Sequence, residues 1–112
     1  MDIRIETERL ILRPLAPQDC EHHIEMMGDP EIAAFLSRDK KPQTYMDRWR
    51  QFASYLGHWQ IRGFGFFSVD EKTTGNWVGR VGPRFPGDWP GLDCGWAICS
   101  EHWGKGYAPE AA

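Results

Sequence analysis

Tyr45, Trp49, Phe52, Leu56 and Trp59 recur at alternating steps of four and three, the spacing of one apolar face on an α-helix. A helix with so aromatic a face requires a broad apolar surface to cover it, and the flanking sequence offers strands. Residues 3–15 alternate, with Leu10 and Leu12 on one face, Ile11 on the other, and Pro14 as a stop. Gly63 to Asp70 carries apolar side chains on both faces, as a covered central strand does. Glu71 to Gly75 reads as a hairpin turn, Asn76 to Gly82 as the next strand and Leu92 to Ile98 as the last. Gly79 and Gly82 inside a strand imply a bulge or the close approach of another backbone. The aromatic stripe is therefore expected to be the buried face of a helix packed on a sheet; the other reading is the lining of a substrate pocket.

The remaining segments fit this frame. Pro17 suits a first helical residue with Asp19 favouring the dipole, and Cys20, Ile24 and Met27 form a stripe that Gly28 closes. A short helix follows from Asp29 and Pro30 to Leu36, then a polar turn over 37–42. The loop from Pro83 to Gly91 is either substrate-facing or a rigid connector. The expected fold is α+β: an antiparallel strand meander with helices packed on it, ending in strand, glycine loop and helix. Residues 1–112 read as one domain without repeat or linker.

Charge and cysteines narrow the function classes. A net charge of -3 shows no broad basic face for nucleic acid, and the apolar runs are too short to span a bilayer. No secretory h-region follows Met1, and three cysteines cannot all pair, so the cytoplasm is the expected setting. Cys20, His22 and His23 stand too close on one helix to converge on a metal, so none is expected and the histidines read as solvated or capping. Cys94 and Cys99 read as small buried hydrophobes, although His102 lies three residues beyond Cys99.

The stretch from His102 to Ala112 carries the chemistry. Gly104 and Gly106 flank Lys105 between a strand and a helix-favouring segment, so several backbone N–H groups can converge with the helix dipole on one anion. A P-loop is excluded because Gly106 follows Lys105 where a hydroxyl is needed. A dinucleotide fingerprint is excluded because Pro109 stands where its third glycine belongs. Any attraction for an anion must be local, from these amides with Lys105 and Arg80 or Arg84. An ordinary loop leading into a helix is the alternative reading.

Trp103-Gly104-Lys105-Gly106-Tyr107-Ala108 resembles the acyl-CoA pyrophosphate loop of the GNAT acetyltransferases, [RQ]-x-x-G-x-[GA], with Gly106 and Ala108 matching and Trp103 in place of Arg or Gln. That form is typical of the branch similar to ribosomal-protein N-terminal acetyltransferases, whose opening strand Thr7 to Leu15 also resembles. The resemblance covers nearly all of this chain but about two-thirds of a family domain, so it implies the N-terminal portion of a GNAT fold. It implies acetyl-CoA as co-substrate, with backbone N–H groups from Gly104, Lys105, Gly106, Tyr107 and Ala108 on its pyrophosphate. Trp96, Ala97 and Ile98 would offer main-chain groups to pantetheine, and an N–H near Ala97 or Ile98 would polarise the thioester carbonyl. Asp93 is the implied general base, with a strand-capping role as its alternative. The acceptor would be a protein N-terminal α-amine or a small-molecule amine. The apolar edge at 92–98 implies a homodimer that covers it. A non-catalytic acyl-CoA-binding or oligomerising remnant, and a generic anion-binding domain, are the alternatives.

Overall fold

The computed structural model describes residues 3–36, 43–85, 87 and 91–111. The polar turn at 37–42 and most of the loop between Phe85 and Gly91 lie outside the described residues. Five strands, β1 (Ile5–Glu6), β2 (Leu10–Pro14), β3 (Phe67–Glu71), β4 (Trp77–Arg84) and β5 (Asp93–Ile98), form one antiparallel sheet in chain order. Helices α1 (Cys20–Met27), α2 (Pro30–Leu36) and α3 (Tyr45–Arg62) lie between β2 and β3, and α4 (Tyr107–Ala111) follows β5. The α+β meander ending in strand, loop and helix is therefore the fold observed. Among the described residues no helix is long and apolar enough to cross a membrane.

The register sorts side chains onto two faces. Leu12 lies opposite Val69, Val69 opposite Gly79 and Gly79 opposite Ile98, and the face they share is covered by Tyr107 and Ala111 of α4. Arg13, Ser68, Arg80 and Ala97 line up on the other face, beneath α1 and α3. The two strand glycines do what the sequence implies. A Cβ on Gly79 would lie 2.2 Å from the Ala97 carbonyl oxygen, and one on Gly82 would lie 2.6 Å from that of Gly65. The register also shifts between Val69 and Asp70, so β4 bulges there.

Four expectations change. Residues 3–15 are two strands, because Thr7 and Leu10 close a tight turn (Thr7 N–H to Leu10 O, 2.9 Å) that folds Ile5 back onto Leu12. Alternation continues through such a turn, which is why the segment reads as one strand. Only part of the aromatic stripe is buried: Phe52 and Trp59 are, with Tyr55 beside them and Leu56 partly covered, while Tyr45 and Trp49 remain 53% and 49% exposed. The start of α3 instead reaches α1, where the Tyr45 hydroxyl donates to Glu21 (3.1 Å). His23 is not solvated. It is fully buried beneath Phe52 and Tyr55, with Nε2 3.1 Å from Gln51 Oε1, and burial pushes its pKa down to about 4. Cys94, on β5, is exposed rather than buried.

The face beneath α1 also holds a polar network that sequence spacing does not reveal. Asp19 accepts from both Arg13 amino groups (2.8 and 2.9 Å), from Ala16 N–H (2.9 Å) and from Ser68 Oγ (2.7 Å). Arg13 Nε reaches Asp70 at 2.8 Å, and Trp77 Nε1 donates to Ser68 Oγ at 2.9 Å. Every member is satisfied, which is the condition for a buried carboxylate to hold strands together rather than disrupt them.

Candidate active site

The last ladder bond of β5 runs from Cys99 N–H to Val78 O (2.8 Å), after which a single 3-10 turn over Ser100–His102 redirects the chain. Gly104 (φ 84°) and Gly106 (φ 77°) are both left-handed, a conformation that costs other L-residues about 1–2 kcal/mol. Glycine is thus required for the backbone path itself, in addition to any close approach by an anion. Glu110 N–H then bonds Gly106 O (3.3 Å), starting α4. A cavity of about 330 Å³ opens beside the turn, with Ile98, Trp103, Gly104, Gly106 and Ala108 in its lining.

Two carboxylates fix the turn from beneath. Glu71, at the end of β3, accepts from Tyr107 OH (2.5 Å) and Thr74 Oγ1 (2.8 Å), and Lys105 Nζ stands 3.7 Å from it. The Tyr107 hydroxyl, more than any other neighbour, holds the Glu71 carboxyl below the usual range, and Glu71 in turn raises Tyr107. Lys105 also bonds His102 Nδ1 (3.1 Å). Glu110 accepts from Thr7 Oγ1 (2.5 Å), Arg9 N–H (2.9 Å) and Arg9 Nε (2.7 Å), and the Arg9 guanidinium lies 4.6 Å over the Tyr107 ring. The acids nearest the turn are engaged by donors, so they oppose an incoming anion less than their charge suggests.

The open edge of β5 adds directed backbone groups. Since Cys99 N–H faces β4, antiparallel alternation turns Ala97 inward and Trp96 and Ile98 outward. The Ala97 carbonyl indeed lies against Gly79, so Ala97 is removed from the set of outward main-chain donors. The Ile98 carbonyl is already taken by Trp103 Nε1 (2.8 Å), which gives the tryptophan at this position of the loop a structural use.

The other nominated residues separate. Asp93 sits opposite Arg84 in register, its carboxylate 3.4 Å from Arg84 Nε, and it stays half-exposed. Neither Arg80 nor Arg84 is at the glycine turn. Arg80 lies under α3 against the rings of Tyr55 (5.0 Å) and Phe66 (4.5 Å), on the opposite face of the sheet from α4. Burial, more than the nearby carboxylates, pushes the Cys99 thiol up to about 11, which makes it a poor nucleophile. Among the described residues no three of His, Cys, Asp and Glu gather closely enough to hold a metal ion. Sequence reasoning missed Glu71, Glu110, Thr7 and Arg9. The only signal for them was their charge or hydroxyl beside a turn.

Residues 9–112 match the acetyltransferase (GNAT) domain. The chain belongs to the GNAT acetyltransferase family. An acetyltransferase from Agrobacterium tumefaciens C58 is similar over the whole chain, at 31% identity and a TM-score of 0.84, and this chain spans 63% of its length. The uncharacterized N-acetyltransferase p20 of Bacillus licheniformis is 28% identical over 94% of this chain, which spans 59% of that protein. Spermidine N-acetyltransferase from Vibrio cholerae, solved with CoA and spermine, shares the fold over 91% of this GNAT chain and 58% of its own (TM-score 0.67, 21% identity). The resemblance drawn from Trp103 to Ala108 is thereby borne out at the level of the family. This GNAT chain spans about three-fifths of the length of such relatives.

Proposed function

We propose that this chain supplies the acyl-CoA-binding part of an N-acetyltransferase that transfers acetyl from acetyl-CoA to a primary amine by direct attack. The observation that carries this reading is the pair of left-handed glycines around Lys105, set beside an open strand edge and a cavity of about 330 Å³. CoA bound to the Vibrio cholerae spermidine enzyme, which has the same fold, supports the choice of ligand. Backbone N–H groups from Gly104 through Ala108 would hold the pyrophosphate, helped by the charge of Lys105. Trp96 and Ile98 would pair with the pantetheine amides, as an added strand does.

The chemistry needs little from side chains. The Ile98 N–H would stabilise the negative oxygen that develops as the amine nitrogen bonds to the thioester carbon. Asp93, directly or through a water, would take the proton released by the amine as the C–S bond breaks and the thiolate leaves. An α-amine, with a reference pKa near 8, needs less help to be neutral than a lysine-type amine near 10.4. That difference, with the resemblance to the ribosomal N-terminal branch, favours a protein N-terminus as acceptor. Leu92, just before β5, and Trp96 on it are both exposed, which supports a homodimer that covers the edge.

Calorimetric titration with acetyl-CoA, beside arms with ATP and inorganic phosphate, tests the reading, with light scattering on the same sample. Saturable binding selective for CoA supports it. No binding at millimolar acetyl-CoA refutes it, equal binding of all three ligands leaves a generic anion site, and a strict monomer removes the dimer. CoA binding without transfer to any amine would select the non-catalytic remnant.

A further inference from the structure

The cavity of about 330 Å³ beside the glycine turn has His102 in its lining but not Lys105, although Lys105 stands between the two glycines. Lys105 reaches toward Glu71 instead. Its Nζ lies 3.1 Å from His102 Nδ1 and 3.7 Å from Glu71 Oε2. An ammonium group can only donate, so Nδ1 accepts this bond and the proton of the neutral imidazole sits on Nε2. Among the described residues Glu101 is the one carboxylate within 4 Å of Nε2, and at 3.8 Å it is too far for a hydrogen bond.

Glu71 thus faces two groups that can carry the same charge. His102 Nδ1 and Lys105 Nζ each stand 3.7 Å from Oε2, the oxygen that the Tyr107 hydroxyl also bonds. The His102 ring stacks on Tyr107 at 6.0 Å, and the Arg9 guanidinium, itself bonded to Glu110, lies 4.6 Å over that same Tyr107 ring. Glu71, Glu101, Lys105 and Tyr107, with Arg9 and Glu110 behind Tyr107, are the charged and titratable groups around His102. A proton arriving on Nδ1 changes three contacts together. Nδ1 can no longer accept from Lys105, it becomes a donor facing Oε2, and two positive charges stand 3.1 Å apart. The Lys105 side chain is 45% exposed and that of His102 is 11% exposed, so the flexible lysine is the group with room to leave.

We propose that His102 gates Lys105: a proton taken from solvent onto Nδ1 gives Glu71 to His102 and releases Lys105 to a phosphate at the turn, so that acyl-CoA binds with uptake of a proton. The ring that lines the cavity then carries charge as well. The anion meets two cations, where the neutral state offers one that is tied down. The inference rests on the acyl-CoA reading of the turn for its ligand, and on His102, Lys105 and Glu71 for the exchange. Linkage fixes the sign: a ligand that takes up a proton on binding binds more tightly as pH falls.

The test is calorimetric titration of the chain with dephospho-CoA, which has no phosphate that titrates near neutrality, at pH 7 in buffers of different ionisation enthalpy. The expected result is uptake of a fraction of a proton and binding about tenfold tighter at pH 6 than at pH 8. His102→Gln should still bind and show neither effect. In the wild type at pH 7, the nitrogen resonance of His102 Nδ1 should move from the unprotonated toward the protonated position as dephospho-CoA is added. Binding without proton uptake, or equal uptake in His102→Gln, overturns the gate and leaves the acyl-CoA reading standing. Should that variant fail to fold, the Nδ1 resonance decides, and one that stays unmoved on a saturated wild-type protein overturns the proposal. No binding of dephospho-CoA or of acetyl-CoA refutes the acyl-CoA reading and the gate with it.

Discussion

Exchanging Gly104 for L-alanine and for D-alanine would isolate why the turn needs glycine. At φ 84° an L-residue is strained by about 1–2 kcal/mol, and no atom lies within 4 Å of the Cβ it would add. The strain is therefore conformational and not a clash. Part of it is offset, because alanine restricts the unfolded chain by about 0.4–1 kcal/mol relative to glycine. The net expectation is a loss of about 1 kcal/mol for L-alanine. D-alanine has the mirror preference, so it keeps the unfolded-state gain without the strain and should stabilise by about 0.4–1 kcal/mol. Both proteins can be assembled by ligating a synthetic C-terminal peptide at Cys99, and urea melts then give the two free energies. Equal values for the two enantiomers would refute the claim that the left-handed backbone is what selects glycine. If the turn holds pyrophosphate, acetyl-CoA affinity should fall about tenfold with L-alanine, as the strained backbone swings its N–H groups away.

Three further outcomes follow from the buried groups. Asp19→Ala should cost about 2–3 kcal/mol in urea unfolding, because the Arg13 amino groups and Ser68 lose their acceptor while Arg13 keeps Asp70; a cost below about 1 kcal/mol would show that the network contributes nothing cooperative. Acid should act in two stages. His23 has a folded pKa of about 4 against an unfolded value near 6.5, so the unfolded chain binds more protons between them and stability falls as pH drops through that window, by roughly 1–2 kcal/mol at pH 5. The Asp19 carboxyl is held below its usual value by Arg13, Ala16 N–H and Ser68 against the cost of burial, so its contribution is present above the unfolded carboxylate pKa and is lost only in stronger acid. His23→Gln should abolish the upper stage alone, and urea melts from pH 7 to 4 would detect its survival. Cys94 should be alkylated well before Cys99 by iodoacetamide, as mass spectrometry of a short labelling course would read; the opposite order would refute the burial assigned to Cys99.

The helices, the glycine turn and the strands, apart from the turn at Thr7 to Leu10 that splits the first, were legible because each is written in local spacing. Gly79 and Gly82 were legible too, since glycine inside a strand marks a bulge or the close approach of another backbone. What local spacing hides is direction. Tyr45 and Trp49 share a helical face with Phe52 yet stay half-exposed, because a periodic stripe does not say where the sheet beneath it ends. His23 was read as solvated or capping, whereas a neutral imidazole bonded to Gln51 can be buried whole. Arg80 or Arg84 was offered to the anion at the turn by charge alone, and strand alternation puts both on the other face. Ala97 failed for the same reason at the backbone level: a single residue of offset decides which edge its N–H meets.

The anchoring of the turn has a consequence for how the site forms. Thr7 and Glu110 are 103 residues apart, and Tyr107 and Glu71 are 36 apart. Neither contact can form until β2, β3 and β4 are paired, because those strands bring Arg9 and Glu71 beneath α4. The bonds of Tyr107 to Glu71 and of Glu110 to Thr7 and Arg9 fix how the N–H groups at the start of α4 are aimed. Local sequence thus supplies the glycines that permit the turn, while distant sequence supplies the carboxylates that fix it. The β5 edge belongs to both arrangements, with Ile98 directed outward beside the turn and Asp93 at the far end beside Arg84. A ligand lying along that edge would span the two faces, and the sheet would set the distance between its pyrophosphate and the reacting amine more rigidly than any loop could.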